Sequence, residues 1–219
     1  MDENTIIDLK KQHYDNYQKS LYDLIDNNTN RFIDEDLMSL VKQPPLDSMD
    51  VLKTKIIDIG KKYKVLVQLE VLEKFLREYR ESFLESFEKI RKNRRDSLNK
   101  IVNNSNNEVV KFNKKDFLSI DREIKNLVKE KFKESFDIYI IQNISMLFQN
   151  FDDSTMGMKI STELTNYFKK NYFKQLFEKF ELKLMVKDTI LINASKEQSE
   201  RYIFTLKNSR LFQDFEEEN

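Results

Sequence analysis

The sequence has no cysteine, no tryptophan, two glycines (Gly60 and Gly157), two prolines (Pro44 and Pro45) and a single histidine, His13, in 219 residues. Without cysteine there are no disulfides, zinc ribbons or thiol nucleophiles, and the main mark of a small secreted domain is missing. Loops that cradle phosphate need clustered glycines to bring backbone N–H groups against the ligand, so Rossmann and P-loop chemistry is not expected. Scarce glycine and proline also argue against a turn-rich, all-β fold. One histidine supplies neither the paired Glu-x-x-His motifs of a di-iron bundle nor the carboxylate-held base of a hydrolytic triad, and His13 reads as an ordinary surface residue. No uninterrupted apolar run approaches the ~20 residues that span a bilayer. The opening Met1-Asp2-Glu3-Asn4 lacks the apolar core of a signal peptide, so an intracellular chain without membrane contact is expected.

What is present is charge and phenylalanine. Lys+Arg and Asp+Glu both number 38, so the net charge is zero and any electrostatic role has to be local. Charged residues make up 35% of the chain beside 17 phenylalanines, a pairing that suggests long amphipathic helices with sharply divided faces. The expected fold class is mainly α: a helical bundle over residues 1–180, followed by a small β-rich element over 181–219 that ends in an acidic tail, Glu216-Glu217-Glu218.

Apolar spacing places the elements. Ile6, Ile7, Tyr14, Tyr17, Leu21, Leu24 and Ile25 form a stripe at helical period, and Asn27-Asn28-Thr29-Asn30 reads as its interruption. A helix capped by Asp47 or Ser48 is predicted next, with a break at Gly60. The longest periodic segment runs from Leu66 to about Ile101 through Leu69, Leu72, Leu76, Tyr79, Phe83, Phe87 and Ile90. After the polar loop Asn103–Asn107, a helix starting near Asn113 or Lys114 carries Phe117, Ile120, Ile124, Leu127, Phe132 and Phe136. A further amphipathic helix follows Asp152-Asp153-Ser154. From Leu182 the period changes to alternation, with the β-branched run Ile190-Leu191-Ile192, a polar turn over 193–199, and Tyr202, Phe204 and Leu206. These read as strands.

No catalytic, metal-binding or cofactor-binding residues are assigned. Glu70, Glu73, Glu78, Glu81, Glu85 and Glu88 are read as a solvated helix face with i, i+4 partners such as Glu70–Lys74. The one concentrated basic run, with Lys89, Arg91, Lys92, Arg94 and Arg95, is the candidate contact for a partner or for phosphate. It lacks the interleaved aromatics that stack on bases, and basic residues at a helix C-terminus also favour the dipole. The surplus of aromatic faces points towards assembly with partner proteins.

Three stretches resemble the GINS family of replication proteins, most of all its Sld-five branch. Asn30-Arg31-Phe32-Ile33-Asp34-Glu35-Asp36-Leu37-Met38 is similar to the segment between that family's first two helices, with Glu35 where the family has proline. Phe87-Glu88-Lys89-Ile90-Arg91-Lys92 resembles its arginine-bearing helix. Thr189-Ile190-Leu191-Ile192 followed by Arg201-Tyr202-Ile203-Phe204-Thr205-Leu206 resembles its β-domain hairpin. The stretch from Ser145 to Lys179 is longer and more helical than the family's linker. The resemblance implies a non-catalytic structural subunit of a nuclear hetero-oligomer supporting DNA replication. Its implied partners are the other GINS subunits, the Mcm helicase and a Cdc-class protein, with DNA touched at most indirectly and no cofactor. The alternatives are a helical scaffold of a kinetochore or tethering complex, placed in the cytoplasm or nucleus, and a nucleic-acid-binding module using the basic run 89–95.

Overall fold

The computed structural model describes residues 3–42, 49–71, 74, 84–105, 108–149 and 154–209. Among the described residues the chain is mainly helical with one small antiparallel β pair. Helix α1 (Glu3–Arg31) passes through a short π-helical stretch (Phe32–Leu37) into α2 (Met38–Lys42), and α3 (Met49–Tyr63) follows. Strand β1 (Leu66–Val67) comes next, then α4 (Phe87–Asn103), α5 (Lys114–Leu147) and strand β2 (Phe148–Gln149). Helix α6 (Ser154–Phe168) leads through a second π-helical stretch (Lys169–Phe173) to α7 (Lys174–Asn208).

The helix start predicted at Asn113 is built as a capping box. The Asn113 side chain accepts from the Lys115 N–H at 2.9 Å, and Asp116 accepts from the Asn113 N–H at 2.8 Å. The break expected at Asn27–Asn30 is absent, because α1 continues to Arg31. Asn28 and Thr29 are buried there, so tertiary packing overrides the tendency of short polar side chains to leave a helix.

A larger difference concerns residues 182–206, expected as strands and found inside α7. The buried positions Leu176, Phe180, Leu184, Asp188, Leu191, Ser195 and Ser199 lie three or four apart, so the alternation of Leu182, Leu184 and Val186 was incidental to a helical stripe. Thr189 and Thr205 fit the helix by returning their hydroxyls to the carbonyls of Met185 and Arg201, both at 2.9 Å. Among the described residues the small β element is instead β1 with β2, with Leu66 opposite Gln149 and Val67 opposite Phe148. The boundary expected at residue 180 falls within α7, and the acidic segment 210–219 lies outside the described residues.

The chain divides into two compact units interleaved in sequence. The first comprises residues 1–32, 91–122 and 184–219, and the second residues 33–90 and 123–183. In the first unit, Leu21 and Ile25 of α1, Leu98 and Val102 of α4, Phe117 and Ile120 of α5 and Leu184 and Leu191 of α7 form the buried apolar interior. In the second unit, Ile56 and Ile59 of α3, Phe87 and Ile90 of α4, Ile124 and Val128 of α5, Phe148 of β2, Ile160 and Leu164 of α6 and Leu176 and Phe180 of α7 do the same.

Gly60 does not break α3; it lies at the last turn where β1 passes close. A Cβ there would run into Val67 Cγ2 and come within 3.3 Å of the Val65 carbonyl oxygen. The helix then closes as a Schellman motif. Val65 N–H donates to Gly60 O at 3.0 Å and Lys64 N–H to Lys61 O at 3.3 Å, while Lys64 takes a left-handed φ of 53°.

Candidate functional site

The basic run does not lie wholly at the surface. Lys89 and Lys92 are exposed, Arg91 Nη1 donates to Asn30 Oδ1 at 2.5 Å, and Arg95 Nη1 sits 3.4 Å from Asp26 Oδ1. Lys89 and Lys131 line a depression of about 350 Å³ together with Glu85 and Glu130, so its cations and carboxylates balance and it carries no net positive charge for a phosphate. Arg94 is 0% exposed. It is therefore withdrawn from any outside ligand, and of the five candidate contacts it is the one that packing claims completely.

Arg94 is the hub of a buried network within the first unit. Its Nη2 donates to Asp188 Oδ1 at 2.7 Å and to Asn28 Oδ1 at 3.1 Å, and Nη1 is 3.9 Å from Asp121 Oδ1. The rings of Phe32 and Phe117 stand 5.6 and 5.7 Å from the guanidinium carbon, close enough for a cation–π contribution. Asn28 Nδ2 in turn donates to the Lys187 carbonyl at 2.9 Å. Side chains from α1, α4, α5 and α7 thus meet on one charge. The chemistry of this site is cohesion: a permanently charged, planar donor fork fixes the register of helices that apolar packing alone would hold less specifically.

A second polar cluster ties the link between α4 and α5 to the same unit. Tyr17 OH donates to Val110 O at 2.8 Å and lies 3.0 Å from Ser199 Oγ, while Phe112 N–H donates to Ser195 Oγ at 3.2 Å. Tyr17 stacks on Tyr202 with ring centroids 4.6 Å apart. Tyr14 OH is 2.8 Å from Ser105 Oγ. Ser195 and Ser199 are small enough to let the buried segment Val110–Phe112 approach α7, and their hydroxyls satisfy its backbone. Burial pushes the phenols of Tyr17 and Tyr202 above the usual tyrosine range.

The second unit keeps the lysines of its ion pairs in contact with water, although Asp36 beside Lys183 is only 15% exposed. Glu163 of α6 accepts from three side chains of α3: Lys62 Nζ at 2.6 Å, Tyr63 OH at 3.0 Å and Lys55 Nζ at 3.3 Å. The hydrogen bond from Lys62 is the main reason the Glu163 carboxyl falls below the usual carboxylate range. Glu163 also raises the pKa of Lys62.

The glutamates Glu70, Glu85 and Glu88 are exposed, whereas Glu73, Glu78 and Glu81 lie outside the described residues. Among the described residues no group of three or more His, Cys, Asp or Glu is placed to hold a metal ion. His13 is half-buried on α1. No helix among the described residues is long and apolar enough to cross a membrane.

One feature the sequence reading missed is an apolar face on α7. Met185, Val186 and Ile190 are 58%, 47% and 50% exposed, and i, i+1 and i+5 spacing puts them on one side of the helix, opposite buried Leu184 and Leu191. Phe204, further along, is 69% exposed. The signal was in the sequence, but strand alternation split these residues between two sheet faces. Comparison with protein-family models, curated proteins and solved structures found no match to the chain.

Proposed function

We propose that this chain is a non-catalytic structural subunit that binds other proteins through its helix faces. The carrying observation is the run of large exposed apolar side chains on α7, Met185, Val186 and Ile190. Such side chains standing together on an otherwise highly charged molecule favour a partner that removes them from water. Burying the three would contribute several kcal/mol at about 25 cal/mol per Å² before the costs of association.

Within that class the specific proposal is a GINS-type subunit of the replicative helicase, acting in the nucleus. The stretches Asn30–Met38 and Phe87–Lys92 favour it. The third stretch, similar to a β hairpin, is helical here, so the specific proposal rests on two stretches and the general one stands without them. The nucleic-acid reading loses Arg94 to the interior and retains Lys89 and Lys92 as exposed cations of the run.

Purification of a tagged copy from its own cells tests both levels. Stoichiometric helical companions support the subunit reading, and three companions that themselves carry GINS sequences support the specific one. A chain that purifies alone at every salt concentration overturns both.

A further inference from the structure

Within the first unit, burial alternates along residues 108–112, between α4 and α5. Val110 and Phe112 are buried, Val109 is half-buried, and Glu108 and Lys111 are exposed, as in an extended chain. The hydrogen bonds alternate as well. Tyr14 OH donates to Glu108 O at 3.4 Å, Tyr17 OH and Ser199 Oγ donate to Val110 O at 2.8 Å each, and Phe112 N–H donates to Ser195 Oγ at 3.2 Å. These three residues thus turn backbone groups towards α1 and α7. An extended chain turns those of Val109 and Lys111 the opposite way. Among the described residues neither Val109 nor Lys111 has a hydrogen-bond partner. Such an edge is a template for a further strand. Lys111 stands on it, and Lys114 and Lys115 follow at the start of α5. All three lysines are exposed, and none has an ion-pair partner among the described residues. Of the carboxylates nearest in sequence, Glu108 lies at the other end of the segment and Asp116 accepts from the Asn113 N–H. The edge suits an extended occupant with carboxylates at the end that meets α5.

The chain carries such a segment, Leu211-Phe212-Gln213-Asp214-Phe215-Glu216-Glu217-Glu218. Direction and length both fit. Phe112 meets Ser195 and Val110 meets Ser199, so residues 108–112 run opposite to α7. A tail that doubles back from α7 therefore runs parallel to them and brings its glutamates last, towards α5. Ser209 lies ten residues beyond Ser199, about 15 Å along the helix, and Lys111 lies about 3 Å further down. Glu216 to Glu218 are seven to nine residues beyond Ser209 and reach up to about 23–30 Å when extended. That covers the return and the roughly 5 Å step to a neighbouring strand. We propose that the segment Leu211–Glu218 lies along the free edge of residues 108–112 of its own chain and sets its glutamates against Lys111, Lys114 and Lys115. An edge covered in this way is withheld from the strands of other chains. This goes beyond the subunit reading and does not depend on it. A pairing this short is weak and sensitive to salt.

Two measurements on the full chain test it. Zero-length carbodiimide coupling followed by peptide mapping is expected to join Lys111, Lys114 or Lys115 to Glu216, Glu217 or Glu218 in material of single-chain mass. Residue-resolved amide exchange is expected to show Val109 and Lys111 at least about tenfold slower than in the variant Glu216→Lys, Glu217→Lys, Glu218→Lys. Phe112, held by Ser195, should exchange equally in both. Adding Lys111→Glu, Lys114→Glu and Lys115→Glu to that variant should restore the slow exchange and the coupling, because the charges are then exchanged across the edge. Amides of Val109 and Lys111 that exchange alike in wild type and the triple variant overturn the proposal. So does coupling found only in material of two-chain mass, which would assign the edge to a second copy. Neither readout depends on companions copurifying, so this proposal and the subunit reading can fail separately.

Discussion

The two units solve the problem of holding helices in register by different physical means. In the first, a charge is taken fully out of water: Arg94, Asp188 and Asn28 meet in the interior, and tyrosine and serine hydroxyls pin the 108–112 segment. In the second, the interior is carried by apolar side chains and the ion pairs keep their lysines in water, Lys62 59% exposed beside Glu163 and Lys183 39% exposed beside the more buried Asp36. A buried charge is conditional on its partners, because losing one leaves the other desolvated and uncompensated. A surface pair is screened and replaceable by water. The first unit should therefore be brittle to polar substitutions and the second tolerant of them, and vulnerable instead to changes of volume.

The sharpest break in that contrast is Arg94→Ala or Asp188→Ala. Either single change should cost about 3–5 kcal/mol in denaturant unfolding, since it strands a buried charge. Replacing the two together by Met and Leu should recover most of the loss, which separates the cost of an orphaned charge from the worth of the pair.

In the second unit the comparable blow is steric. Gly60→Ala would push a methyl into Val67 and should cost about 1–3 kcal/mol, whereas the same exchange at a roomy helical glycine would stabilise. Lys64→Gly, at the left-handed position of the Schellman turn, should go the other way and gain about 1 kcal/mol. Thermal unfolding of the two variants, read side by side, checks both signs.

How far the sequence disclosed these features depends on the residue. The start of α5 was legible because capping chemistry is local: Asn113 and Asp116 close their box within four residues, whereas the caps expected for α3, Asp47 or Ser48, lie outside the described residues. The end of α1 was not, because the partners of the buried Asn28, Arg94 and Lys187, are distant in sequence. In α7, Ile190-Leu191-Ile192 has true β preference. Only the interior spacing of Leu184, Asp188, Leu191, Ser195 and Ser199 outweighs it, and three of those five are polar residues that a hydrophobic pattern does not count. Arg94 illustrates the same limit. In sequence it is one of several neighbouring cations, and burial alone distinguishes it from Lys92. The exposed side of α7 was hidden by the same misreading of period.

Titration gives the gentlest test of the contrast. Tyr17 and Tyr202 have folded pKa values raised above 10.0, so their contribution is full below that value and is lost as pH rises through the folded values. Glu163 has a folded pKa lowered below 4.5, so its contribution is present above 4.5 and is lost as pH falls through the folded value. Tyr17→Phe should therefore flatten the alkaline limb of a stability–pH profile and cost about 1 kcal/mol near neutrality. Glu163→Gln should flatten the acid limb, with the smallest effect of the set near neutrality because its main partner Lys62 is 59% exposed and open to solvent screening.

The claim that the exposed face of α7 is a partner surface is tested most directly by placing charge on it without disturbing the fold. Tagged Met185→Glu, Ile190→Glu should retain wild-type thermal stability and helical content while losing the stoichiometric companions that copurify with the unaltered chain. Full retention of those companions by the folded variant would contradict the claim.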